Sequence, residues 1–434
     1  MPSDLPNAPT PKSDPGLPTV TPPTGSMFFR LFGVPALIVV GLVLLLIAAQ
    51  PFIGKFLRVN VSPEHVLRDL DNTNKEVRWR AANDLAQVLP RDEKLASDSA
   101  FALQLTKRLR RVLDSSAPFE KAYAEQFAKL TPEEQTRELK KLEADRDYVR
   151  LLTQCLAHFL VPVGAPILEE MALQESGLDP RALQARRRQA LWALANLGEN
   201  VKRFDKLSTE QQEAIKAQLE TAADSGEQTT TAKTVLDYLT RRQEGRPNAL
   251  GVDRVIETCA DAEDPSLREL AAFVANKWSG TAEENARIEK TLFRLCDDSG
   301  KGEDELARLE DENPQEETRK RVKKPGFGVQ ANAAIALARR GGNVRLTLLQ
   351  TMLDEDELGK FFVVQSKKGG TERPDQAMVV QTMIEALKAV AELHHQDPRR
   401  DLSRLRPNID KLAHNPNPAV QTEVERVVQA LSKD

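Results

Sequence analysis

The sequence predicts an all-α fold: a long α-solenoid of stacked helix pairs that follows one transmembrane helix. Three observations predict it. Aromatic residues make up only 5% of the 434 residues while Ala and Leu recur throughout, a composition that suits helices better than sheets. A short helix, polar turn and longer helix return as a unit along most of the chain. One uncharged, strongly apolar run lies near the N-terminus.

In chain order, residues 1–27 read as a disordered Pro-rich tail. Eight prolines and many Ser, Thr, Asn and Asp leave residues 1–26 too little apolar surface to offset the entropy of ordering. Residues 28–56 read as a transmembrane helix and its flanks. The stretch from Leu31 to Gly54 carries no charge, and residues 31–53 are the expected membrane contact. Pro35 falls in the first turn, where its missing N–H costs little. Arg30 and Lys55 bracket the run beside Phe28, Phe29 and Phe56, as interfacial flanks do. A cleaved signal peptide is the alternative, but the run is long and starts late for one. The excess of Lys55, Arg58 and Arg68 after the span over Lys12 and Arg30 before it leans towards a cytoplasmic soluble domain. Free cysteines lean the same way: Cys155, Cys259 and Cys296 are far apart and form no CxxC pair.

Residues 57–434 read as the solenoid. The clearest unit runs from Glu64 to Asp71, through the turn Asn72-Thr-Asn74, into Lys75–Leu89. In its second helix Val77, Ala81, Leu85 and Val88 form one apolar stripe at helical period. Leu267-Arg268 with Ala271-Ala272 repeats the spacing of Val77-Arg78 with Ala81-Ala82. Further second helices are expected at Arg188–Gly198, Val329–Leu337, Val380–Leu387 and Ala419–Leu431, with degenerate copies at Tyr148–Leu160 and Thr231–Arg242. Capping boxes are expected at Thr131–Glu134 and Ser208–Gln211, and Asp179, Asp264 and Asn417 are expected N-caps ahead of a proline. This grammar resembles the HEAT family, and more narrowly the HEAT-like repeats first described in phycobilisome bilin lyases. Gln330, Gln381 and Gln421 stand where that pattern has Arg. Second-helix anchors near 78, 150, 188, 233, 268, 330, 381 and 421 are often about 40 residues apart, as this repeat type requires. Charged inserts near 116–145, 299–326 and 356–375 explain the longer gaps.

Stacked two-helix units share one continuous core and curve into a long concave face. The architecture therefore implies a scaffold or adaptor that binds a protein partner, held at a membrane. An enzyme built on such repeats (lyase or metal-dependent) and a structural cell-envelope protein are the alternatives.

No catalytic, cofactor or metal residue is singled out. The metal-dependent hydroxylase branch of the resembled proteins holds iron with His-Glu pairs, and the sequence contains no His-Glu dipeptide. Of the five histidines only His394-His395 adjoin, and neighbouring helical residues diverge by about 100°. His158 reads as a packed core histidine. No GxxxxGK[ST] or GxSxG is present. A net charge of −4 gives no reason to expect nucleic acid. The basic clusters Lys107–Arg111 and Arg186–Arg188 read as solvated faces, with lipid headgroups as the alternative contact of the first. Trp79, Trp192 and Trp278 each fall in a second helix and are expected to pack in the core or between repeats; one exposed on the concave face becomes the first candidate contact.

Overall fold

The computed structural model describes residues 62–224, 229–246, 248–303, 318–366 and 371–432. The expected tail and membrane helix, residues 1–56, lie outside them. Among the described residues no helix is long and apolar enough to cross a membrane.

Many of the helices start where the sequence supplies a capping side chain. α1 (Pro63–Leu70) and α2 (Lys75–Val88) are separated by the Asn72–Asn74 turn, and the Asn74 side chain accepts from the Glu76 N–H. A single turn, α3 (Glu93–Ala96), leads into α4 (Ser99–Phe127) and α5 (Pro132–Leu156). Thr131 and Glu134 close the expected capping box at the start of α5. A 3-10 turn at Pro162–Gly164 leads into α6 (Ala165–Ala172) and α7 (Pro180–Phe204). α8 (Thr209–Asp224) and α9 (Thr229–Gln243) form a hairpin, opened by the reciprocal Ser208–Gln211 bonds. There follow α10 (Val252–Ala260), α11 (Pro265–Ala275) and α12 (Ala282–Leu295). The C-terminal part holds α13 (Phe327–Arg339), α14 (Leu346–Met352), α15 (Glu355–Phe361), α16 (Gln376–Gln396), α17 (Arg406–Leu412) and α18 (Pro418–Leu431). Asp179, Asp264 and Asn417 each cap a helix that begins with proline.

Within residues 63–434 the helices form an α-helical solenoid. The second helices α2, α5, α7, α11, α13, α16 and α18 are neighbours in that order, and the first helices α1, α4, α6, α10, α12, α14 and α17 each pack on one of them. Leu, Ala and Val side chains between the rows make one continuous core from Leu70 to Val427. Small residues allow the close approach: Ala82, Ala190, Ala272, Ala334 and Ala386 are all buried on second helices. At Gly198 on α7 the approach is tight as well, since a Cβ there would lie 2.5 Å from the Trp278 indole nitrogen.

A polar latch recurs in the N-terminal half of the second helices α7, α11, α13 and α18. Arg187 donates to the Ala172 carbonyl at 2.9 Å, and Arg268 to the Ala262 and Glu263 carbonyls, each at 2.9 Å. Gln330 reaches the Asp298 carbonyl at 2.7 Å and Gln421 the Asn415 carbonyl at 2.8 Å. Each bond ties a second helix to the end of the first helix packed on it or to the turn that follows that helix. Gln330 and Gln421 thus keep the latch where Arg is replaced, whereas Gln381 bonds Glu385 of its own helix at 3.3 Å. In the α6–α7 pair the latch is Arg187, one residue before the expected Arg188.

Two expectations are corrected. Thr231–Arg242 is helical, as part of α9, but lies outside the second-helix row: α7 packs directly on α11, while the α8–α9 hairpin packs on α4 and the Pro162–Gly164 turn. Ser99 fixes that contact, bonding Gln218 through its Oγ at 2.8 Å. The all-helical expectation also misses a small sheet. β1 (Thr318–Val322), β2 (Phe362–Ser366) and β3 (Arg373–Pro374) pair antiparallel in that order, with Val322 opposite Phe362 and Val363 opposite Pro374. Two stretches read separately as charged inserts therefore meet. Phe327 packs edge-on against Phe361 and Phe362, which seats the sheet on the solenoid. Residues 116–145 extend α4 and α5 as a hairpin. Arg146 clamps it, bonding the buried carboxylates of Glu120 (2.5 Å) and Asp179 (2.7 Å).

Candidate interaction face

Residues one and two turns apart on a helix share a face, so a second helix packed on one side presents its other side to solvent. The tryptophans separate on this basis. Trp278, just beyond α11, is 3% exposed and donates its indole N–H to the Leu194 carbonyl at 2.7 Å. Trp79 on α2 and Trp192 on α7 are 37% and 53% exposed. Core packing therefore holds for Trp278, while Trp192 packs between repeats with its ring still exposed and Trp79 is exposed as well.

Trp192 has a built setting. Its ring stacks on Phe273 of α11, with centroids 5.3 Å apart and planes inclined by 14°. The Lys277 ammonium sits 5.5 Å from the Phe273 centroid and pairs with Glu199 at 3.1 Å. Glu199 lies two turns beyond Trp192 and also pairs with Lys202 at 3.7 Å. On the adjoining helices Arg339 pairs with Glu385 at 2.6 Å, and Lys388 joins the same carboxylate at 3.0 Å. An aromatic platform thus runs into a band of charge that crosses α7, α11, α13 and α16.

The electrostatics of the band are uneven. Burial works to raise the Glu199 pKa, but Lys277, Lys202 and Arg339 together hold it below the ordinary glutamate value. Glu385 behaves alike: burial opposes, and Lys388 and Arg339 prevail. Lys202 moves the other way. Burial lowers its pKa first; Glu199 works against that, and Lys277, Arg339 and Arg242 add to the lowering. Higher on the same row, burial and then the charge of Glu303 raise the pKa of Glu269, which accepts from the Asn332 amide at 3.0 Å.

The other candidates have structural partners. Arg108 and Arg111 reach Asp71, and Arg110 grips Glu170 through both oxygens at 2.5 and 2.6 Å. Arg186 sits 3.8 Å from Glu120. The three cysteines are buried, and burial raises each thiol's pKa. His158 is half-buried and its pKa is lowered by that burial. His394 and His395 lie in the last turn of α16. Among the described residues no three His, Cys, Asp or Glu side chains gather to hold a metal. The sequence marks the tryptophans as contact candidates; it does not mark Phe273, Lys277 or Arg339, because their proximity to Trp192 depends on which helices are neighbours.

No family model matches the chain, and no curated protein matches it. Solved structures similar to it include a designed armadillo repeat protein in complex with the peptide (KR)4, at 11% identity and TM-score 0.27, covering 85% of this chain and 98% of that one. A second designed armadillo repeat protein is 13% identical, at TM-score 0.28, over 85% of this chain and 99% of that one. A Kap95p structure concerned with RanGDP is 13% identical, at TM-score 0.18, over 86% of this chain and 50% of that one. At such scores the solenoid rests on this chain's own helix neighbours. The class the fold and face define is a helical-repeat solenoid with an exposed aromatic platform.

Proposed function

We propose that the chain is a membrane-held adaptor of HEAT-like repeats whose second-helix face binds a protein partner. The observation that carries the binding reading is Trp192: a large ring left more than half exposed, yet stacked on Phe273 and so held in place. A rigid aromatic loses little entropy on binding, and such residues dominate interface energetics. Attachment is supported by the uncharged run from Leu31 to Gly54, and the flanking Lys and Arg favour a cytoplasmic solenoid.

The test is affinity capture by the full-length protein from solubilised native membranes, comparing wild type with Trp192→Ala. A partner captured stoichiometrically by wild type and at least tenfold less by the variant supports the reading. Equal capture by both removes Trp192 from the interface.

A further inference from the structure

The charge band beside Trp192 is not balanced. Its cations are Lys202, Lys277, Arg339 and Lys388; its carboxylates are Glu199 and Glu385. Each carboxylate is already shared between two cations. Arg242, which adds to the crowding of Lys202, is itself committed to Asp205, with bonds at 2.5, 2.9 and 3.1 Å. The excess of positive charge therefore rests on Lys202, Lys277, Arg339 and Lys388. Lys277 and Arg339 have side chains 18% and 19% exposed. Charges so placed are screened less by salt than those on an open surface. Glu199 and Glu385 relieve the like-charge repulsion among Lys202, Lys277 and Arg339 only in part, and an added carboxylate would offset more of it.

We propose that the partner element seated on this face is an acidic linear peptide segment, carrying one aromatic or large aliphatic side chain. The inference rests on the reading of the Trp192 face as a protein-binding surface and names the chemistry of the partner. The apolar side chain lies against Trp192 and Phe273. Asp or Glu residues on one side of it reach Lys277, Lys202 and Arg339, with Lys388 beyond. The whole chain carries −4, so attraction is local to the band, within a Debye length of about 8 Å at physiological salt.

The experiment measures binding of three fluorescein-labelled twelve-residue peptides to the full-length protein in detergent. All carry one central Phe; the flanks are Asp/Glu, Ser/Gly or Lys/Arg. A single-stranded oligonucleotide is the fourth probe. The expected result is that the acidic peptide binds at least tenfold tighter than the neutral one, and the basic one weakest. Trp192→Ala and the pair Lys202→Gln/Lys388→Gln each weaken the acidic peptide at least tenfold, with far-UV circular dichroism and melting unchanged. Raising salt from 50 to 300 mM weakens it several-fold. Equal binding of the three peptides, all lost in Trp192→Ala, overturns the acidic partner and leaves the face itself standing. Tighter binding of the basic peptide or of the oligonucleotide overturns the proposal. So does no binding by any peptide, and the capture comparison with Trp192→Ala then decides the face separately.

Discussion

The polar side chains inside this solenoid act mostly on backbone carbonyls, and Arg268 does so most fully. It bonds Asp298 at 2.6 and 3.0 Å and three carbonyls from the turns around it, at Ala262, Glu263 and Lys301. Arg268→Ala would strand Asp298 as a buried, unpaired carboxylate, and losing one partner of such a pair costs about 3–5 kcal/mol. Urea unfolding should show that loss, with Arg268→Gln in between because Gln keeps the turn bond, as Gln330 and Gln421 do. At Gly198 helix propensity and packing conflict. Alanine would favour the helix by about 1 kcal/mol, but overpacking typically costs about 1–3 kcal/mol. The contact with Trp278 is backed by core on its far side, so Gly198→Ala should melt lower. Glu269 makes the opposite prediction. Its pKa is raised in the fold, so its stabilising effect is complete below the ordinary value of 4.5 and is lost as pH rises through the raised value. Glu269→Gln keeps the acceptor for Asn332 and removes that loss. It should melt higher than wild type at pH 7 and no higher at pH 4.

At the scale of elements, caps and periodicity make most of the helices legible in the sequence. Thr131, Ser208, Asp179, Asp264 and Asn417 mark starts by local chemistry alone, and those starts are where the helices begin. What sequence does not supply is pairing at a distance. Thr231–Arg242 has the helical stripe of a repeat, yet a stripe does not say which neighbour covers it, and here the α8–α9 hairpin is held on α4 and the Pro162–Gly164 turn. The strands β1 and β2 lie on either side of α13, and a short charged stretch carries no sign that another such stretch completes its ladder. The Trp192 platform is half legible for the same reason: the ring is visible in sequence, its support on the next helix is not. The extended α4–α5 hairpin has its own test. Arg146 bridges the buried carboxylates of Glu120 and Asp179, on α4 and just ahead of α7. Arg146→Ala should release amide-exchange protection over 116–145 while α11 to α18 keep theirs, because the loss is confined to one repeat interface.

Over the whole solenoid, stability is a sum of neighbour interfaces, and the proposed binding is a property of the row those interfaces hold in register. The first-helix layer and the second-helix layer carry comparable helices but different surfaces, and the stacked ring and the uneven charge band lie on the second. The proposed binding therefore turns on which layer touches the partner. The most direct measurement places a benzoylphenylalanine photocrosslinker at position 192 on α7 or, as the control, at exposed position 290 on α12, in the full-length protein in its native cell. A second-helix interface predicts a discrete crosslinked polypeptide from position 192 and none from 290. The same polypeptide from both, or from 290 alone, would contradict it.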